Sequence, residues 1–218
     1  GVCEGPSGGG ATYIVPGVVE ANESSIPLLC ITTDISVSSR GRYILTELDQ
    51  EALFRPLTKW NRIIAKSSDI PMLVRTAFIQ MTTGRPGAAH IGLPYDVQSE
   101  PVDQAEIWVN PRTGAFPANR VGPELESIRA AADAILSATN PVFICGGGVL
   151  LSAAENELCL LAELLQAPVA TSISGQGSIS EEHPLAVGVI GSNGGTLPTR
   201  AIVDQADMVI FVGCRAGS

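Results

Sequence analysis

One unit of this sequence limits the fold more than any other. Ile70, Leu73, Val74, Ala77, Phe78 and Met81 fall at i, i+3, i+4, i+7, i+8 and i+11, which puts them on one face of a helix over residues 69–83. Ser68 is a candidate N-cap, Pro71 fits the first turn and Gly84 is a stop. The turn Thr83-Gly84-Arg85-Pro86-Gly87 leads straight into an apolar strand, Gly87 to Leu93, which Pro94 ends. A helix that must bury a face, joined by a short turn to a strand, calls for a sheet with helices packed on it.

The same alternation runs through the rest of the chain. Ile14, Val15, Val18, Val19 and Ala21 predict a helix over residues 10–24, provided that Pro16 lies in its first turn. Pro27 to Thr32 reads as a buried strand, residues 34–55 as polar and irregular, and Leu57 to Ala65 as mixed strand character. Residues 98–122 hold three prolines and two glycines without a regular period, which predicts a linker. Beyond Pro123, Leu125, Ile128, Ala132, Ile135 and Leu136 mark a helix, and Val142 to Cys145 a strand. Ser152 to Glu155 is a capping box for a helix whose face is Leu158, Leu161, Ala162 and Leu165. Strands near Val169 to Ile173, Val187 to Ile190 and Met208 to Val212, and a helix at about 197–206, complete the pattern. The expected fold is therefore α/β: two doubly wound, mostly parallel-sheet domains. The expected boundaries are 1–99 for the first domain, 100–122 for the linker and 123–218 for the second. Both domains are expected to be truncated, since the chain opens on Gly1 and stops just after a strand.

Charge and cysteine content exclude several functions. A net charge of −9 opposes nucleic acid and anionic membrane surfaces. No apolar run approaches the roughly 18 residues of a spanning helix, and no secretory signal pattern opens the chain. Five cysteines, an odd number with no C-x-x-C pair, predict buried thiols in a reducing, cytoplasmic compartment and no zinc site.

The glycine loops carry the functional signal. Ser7-Gly8-Gly9-Gly10-Ala11-Thr12 joins a strand to a helix, where a backbone can approach a ligand closely; an ordinary turn has the same look. Arg85 can offer its planar fork to a phosphate, or stand in solvent. Gly146-Gly147-Gly148 follows a strand, where open sheets bind nucleotides, but the full G-x-G-x-x-G is absent. Gly188, Gly191 and Gly194 mark a second glycine-rich strand exit. His90 reads as structural, His183 as solvated, and Glu47, Asp49 and Glu51 as a solvated acidic loop.

The order and spacing of these segments resemble a known family. The first half carries Ser7 to Thr12, Ser25-Ile26-Pro27-Leu28, Arg55-Pro56-Leu57-Thr58-Lys59-Trp60, Thr83 to Gly87 and Leu93 to Val97. The second carries Asn140-Pro141-Val142, Gly146 to Val149, Leu161 to Leu165, Ala167 to Thr171, His183-Pro184-Leu185 and Ala206-Asp207. Together they resemble thiamine-diphosphate-dependent enzymes of the acetolactate synthase type: the later part of the pyrimidine-binding domain, then most of a Rossmann-like central domain. The resemblance implies thiamine diphosphate and Mg²⁺, a 2-keto acid that is decarboxylated, and transfer of the resulting acyl carbanion equivalent. It implies a homodimeric or homotetrameric parent, with a catalytic glutamate upstream of Gly1 and the diphosphate-binding domain downstream of Ser218, so this chain alone is expected to be inactive. It places Ser7, Gly8, Gly10, Ala11 and Thr12 at the thiamine pocket. Arg85, Gly146, Gly147, Gly148, Gly188, Gly191 and Gly194 fall on the side that binds FAD, or ADP, and no residue of this chain falls on the metal. A decarboxylase or a 2-hydroxyacyl-CoA or oxalyl-CoA type lyase is the alternative within the family, and a non-catalytic nucleotide-binding module is the alternative outside it. The chain departs from the pattern at Leu45-Thr46-Glu47, where the family has Phe-Gln-Glu, and at Pro94-Tyr95-Asp96, where it has Pro-Lys-Asp.

Overall fold

The computed structural model describes residues 1–102, 107, 109–192 and 194–216. Parts of the expected linker, Asn193 and the last two residues lie outside the described residues. The chain divides into two compact units, residues 1–120 and 121–218.

The first unit is built on four parallel strands in the order β1-β2-β4-β3: β1 (Val2–Gly5), β2 (Leu28–Asp34), β3 (Trp60–Ile63) and β4 (Ala88–Pro94). β2 and β4 are paired along their whole length, from Leu28–Ala88 to Asp34–Pro94. Side chains alternate across the sheet, so each strand feeds two cores. On one face Leu29, Ala89 and Ile91 pack with Ala77 and Met81 of α4 (Ile70–Thr82). The other four α4 residues that the periodicity selects, Ile70, Leu73, Val74 and Phe78, join the same core. Each such large side chain, when fully buried, stabilises by about 1.5–3 kcal/mol. On the opposite face Cys30 and Ala88 pack with Ala11, Val18 and Phe54. Helices on both faces make the unit doubly wound.

Several local expectations change. The helix expected over residues 10–24 is two helices, α1 (Gly9–Tyr13) and α2 (Val15–Glu23), with Pro16 in the first turn of α2. Residues 67–69 form a single 3₁₀ turn, so Asp69 rather than Ser68 precedes α4, and no side chain caps it. The stretch read as irregular holds α3 (Gln50–Phe54), N-capped by Asp49, which accepts from Ala52 N at 2.9 Å. Glu47 accepts from the amides of Gly41 and Ile44, and Glu51 from Arg62, so the acidic loop, though partly exposed, is also a set of specific contacts. After β4 comes the short helix α5 (Tyr95–Gln98).

The second unit has the strand order β8-β7-β6-β5-β9. β5 (Pro141–Cys145), β6 (Val169–Thr171), β7 (Ala186–Gly191) and β9 (Met208–Val212) are parallel, and β8 (Gly194–Gly195) turns back against β7. Among the described residues four α-helices accompany them: α6 (Leu125–Ser137), α7 (Gly147–Ser152), α8 (Glu155–Leu165) and α9 (Leu197–Asp204). Phe143, Cys145 and Val169 pack against Val149, Leu158 and Ala162. Leu161 faces outward instead of joining this core. The capping box at Ser152 is also not formed. Residues 147–152 are themselves helical, Ala153 turns left-handed, and α8 starts after Ala154 without a side-chain cap. His183 is not solvated: it sits half-buried, with Nε2 3.1 Å from Glu163 Oε1 and Nδ1 accepting from Leu185 N. All five thiols are free, and those of Cys30 and Cys145 are buried. Burial, then the neighbouring Cys214 and Cys159, push the Cys145 thiol up to about 12. Among the described residues no helix is long and apolar enough to cross a membrane.

Candidate functional site

In a parallel α/β sheet, ligands bind outside the carboxyl ends of the strands. Three connections of the first unit meet there: residues 6–8 after β1, residues 35–49 after β2, and α5 after β4. Gly8 has a left-handed backbone (φ 61°), and a Cβ there would lie 2.7 Å from Thr46 Cβ. Ser7 Oγ donates to Thr46 Oγ1 at 3.0 Å. A Cβ on Gly10 would strike the ring of Pro6, and Ala11 is fully buried. Thr12 Oγ1 donates to Gly9 O at 2.6 Å. The inner edge of this loop is thus filled by its own chain, while nothing lies within 4 Å of a Cβ on Gly9. That shape suits one open wall of a pocket.

The loop after β2 is held by carboxylates. Asp34 Oδ1 accepts from Ile35 N and Oδ2 from Arg40 Nη2, both at 2.8 Å. Asp96, on α5, accepts from Val37 N at 3.0 Å and from Ser38 N at 3.4 Å. Burial pushes the Asp34 carboxyl up, against the pull of the Ile35 amide and the Arg40 guanidinium. For Asp96, burial also pushes up, but the amides of Val37, Ser38 and Val97 outweigh it and hold the carboxyl below its usual range. Sequence reasoning missed Asp34, Arg40 and Asp96. Their partners are set by the return of the chain, and an acidic residue ending a buried strand was the one available sign.

Arg85 lies at the opposite, amino edge of the same sheet, just before β4. Its Nε donates to Ser25 Oγ at 2.9 Å, and its Nη2 to the carbonyls of Asn22 and Glu23 at 2.9 and 3.2 Å. It therefore caps the carboxyl end of α2. Lys59 Nζ does the same for α4, donating to the carbonyls of Gln80, Thr83 and Arg85 at 2.6, 2.9 and 2.6 Å. Burial, then the charge of Arg85, lower the Lys59 pKa.

A buried polar group sits beneath the carboxyl edge. His90 stacks on Phe54 with ring centroids 3.8 Å apart, and its Nε2 is 2.7 Å from Thr32 Oγ1, which also meets Gln50 Oε1. Its Nδ1 has no hydrogen-bond partner among the described residues. Burial pushes its pKa down to about 3, so the ring is neutral. The structural reading of His90 agrees with this.

In the second unit the glycine run is packed against its own chain. A Cβ on Gly146 would strike Gly213 O, one on Gly148 would come within 2.6 Å of Gly213 Cα, and one on Gly147 within 3.0 Å of Ser174 O. These glycines let the exits of β5 and β9 touch. Gly191 and Gly194 face each other in the β7–β8 hairpin. Gly188 lines a cleft of about 270 Å³ with Thr171, Gln176, Ile179 and Glu181. Among the described residues no three His, Cys, Asp or Glu side chains gather as a metal site.

Two parallel-sheet units, the first with a shaped glycine loop at its carboxyl edge, define a class of protein, and comparison with known proteins identifies it. Residues 1–53 match the N-terminal TPP binding domain of the thiamine pyrophosphate enzymes, and residues 128–218 match their central domain. The chain belongs to the thiamine pyrophosphate enzyme family. It is similar to a probable acetolactate synthase large subunit of Methanococcus aeolicus, 41% identical over 99% of this chain and 36% of that protein. A protein of the same description from Methanocaldococcus jannaschii is 39% identical over 99% of this chain and 36% of its own length. The chain thus spans just over a third of the relatives it matches. The crystal structure of benzoylformate decarboxylase from Polynucleobacter necessarius shares the fold. Its TM-score is 0.84 at 20% identity, over 97% of this chain and 39% of that one.

Proposed function

We propose that this chain is part of a thiamine-diphosphate- and Mg²⁺-dependent enzyme of the acetolactate synthase type. The enzyme would decarboxylate a 2-keto acid and pass the acyl carbanion equivalent to a carbonyl acceptor. The observation that carries the reading is the Ser7–Thr12 loop, closed on its inner side by Pro6 and Thr46 and open along Gly9. The names of the relatives, acetolactate synthase large subunits, favour carboligation over simple decarboxylation. When bound, thiamine diphosphate supplies the electron sink for loss of CO₂. In this reading the chain's own residues shape one wall of the pocket: Ser7, Gly8, Gly10, Ala11 and Thr12 fix its contour, and the loop after β2 supports it from behind. Arg85 and the glycines of the second unit serve packing, so the proposal uses no flavin and no nucleotide. The whole enzyme is proposed to be a cytoplasmic homo-oligomer, and the 218 residues by themselves to be inactive.

The test is pyruvate consumption by the whole protein with thiamine diphosphate and Mg²⁺, with and without FAD. Turnover that depends on thiamine, with acetolactate as product and no FAD requirement, supports the proposal. A one-carbon-shorter aldehyde as sole product moves it to a decarboxylase. No thiamine-dependent turnover of pyruvate, other 2-keto acids or acyl-CoA analogues overturns it.

A further inference from the structure

Arg40 is a charged side chain with a fixed aim and unused donors. Asp34, whose side chain is 3% exposed, holds Nη2 at 2.8 Å, while 43% of the Arg40 side chain remains exposed. Among the described residues the other guanidinium nitrogens have no hydrogen-bond partner. Asp34 is the last residue of β2, so the pair stands at the carboxyl edge of the sheet. The loop then folds back: Gly41 N donates to Glu47 Oε1 at 2.6 Å, so the residue after Arg40 is tied to the residue after Thr46, and Thr46 packs on Ser7 and Gly8. The Glu47 oxygens are already taken, by the amides of Gly41 and Ile44. Keeping a carboxylate inside a protein is costly unless it is paired, and here the pairing also orients a planar, multi-donor cation.

We propose that Arg40, aimed by Asp34, binds the carboxylate of the 2-keto-acid substrate; this rests on the thiamine-enzyme reading above. Arg40 is then a specificity-determining residue and Asp34 a positioning residue. The geometry favours a carboxylate, since the remaining guanidinium edge offers parallel N–H donors that match its two oxygens.

The experiment uses the whole protein with thiamine diphosphate and Mg²⁺, and compares pyruvate with uncharged methyl pyruvate. Arg40→Gln is expected to raise KM for pyruvate by about tenfold or more, the loss of one charge-assisted contact, with a much smaller change in kcat. Discrimination between acid and ester should fall by the same factor. Arg40→Lys should recover part of it, Asp34→Asn should shift KM in the same direction, and Arg42→Gln, on the same loop, should change nothing. Binding of oxamate, followed by calorimetry, reads the site without turnover, and Arg40→Gln should weaken it similarly. If Arg40→Gln does not fold, Arg40→Lys against the wild type carries both measurements. Unchanged acid–ester discrimination and unchanged oxamate affinity overturn the inference. A wild type that binds oxamate through Arg40 but turns over no 2-keto acid retains the anion site and overturns only the enzymatic reading. A wild type that does neither overturns both.

Discussion

Ser25 and Arg85 are 60 residues apart in the chain, yet the Ser25 hydroxyl accepts from Arg85 Nε at 2.9 Å. Ser25 has a left-handed backbone (φ 59°) just past α2, and the same guanidinium reaches the last carbonyls of that helix. A cation at a helix carboxyl end also meets the negative end of its dipole. Arg85→Ala is expected to cost about 1–2 kcal/mol, and Arg85→Lys most of that, because an ammonium cannot reproduce the fork. Thermal melts of the two variants check this, and an unchanged melting temperature in both would remove the capping role.

The glycine run of the second unit can be tested by size alone. Gly146→Ala forces a methyl into Gly213 O, with only backbone to give way. A loss of about 3 kcal/mol or more is expected in urea unfolding. Gly114→Ala, where a Cβ meets nothing within 4 Å, should be near neutral. Equal effects at both positions would mean that Gly146 is not held by this contact.

Buried His90 gives the first unit an acid limit. Its folded pKa is near 3, against an ordinary value of 6.5, so between these pH values the unfolded chain takes up a proton that the folded chain refuses. Stability should therefore be full above about pH 6.5 and decline as pH falls toward 3, by up to a few kcal/mol. His90→Leu should flatten that limb relative to the wild type in denaturation measured from pH 7 to 4. Identical slopes would show that the histidine charges in place.

Asp96 ties α5 to the loop after β2. Its carboxyl is held below the usual range, so the tie is present above the ordinary carboxylate pKa and is lost as pH falls through the lowered one. Asp96→Ala should speed hydrogen exchange at the amides of Val37 and Ser38 at neutral pH, while Leu29 and Ile91 inside the sheet stay protected. Unchanged exchange at Val37 would mean that another contact orders the loop.

What could be read from the sequence was what periodicity controls. α4 and its six core residues, β2, β4, β5 and β9 all repeat at 3.6 or as apolar runs, and they lie where that pattern puts them. The loop after β2 has no period. Val37 is fixed by Asp96, 59 residues on, and no local rule contains that contact. Ser152 misled because the capping pattern ignores whether the preceding residues are themselves helical, and Gly147 to Ser152 are. His183 misled because a polar loop can still fold against a helix, here onto Glu163. At the glycine loops, Ser7 to Thr12 lies at the carboxyl edge of its sheet as the motif order suggests. The glycines at 146–148 show how one pattern can serve the approach of two backbones as readily as that of a ligand.

The turn at residues 83–87 gives and receives at once. Its carbonyls at Thr83 and Arg85 take up the Lys59 ammonium, while its arginine side chain returns to α2. A five-residue surface turn of this kind would ordinarily tolerate changes in length. Here one added residue would shift the carbonyls away from Lys59 and the guanidinium away from Ser25 together, so two helices would lose their anchors in a single event. Natural variation in loop length should therefore avoid this corner and collect near Gly114, and a scan of single-residue insertions along the chain would map that boundary.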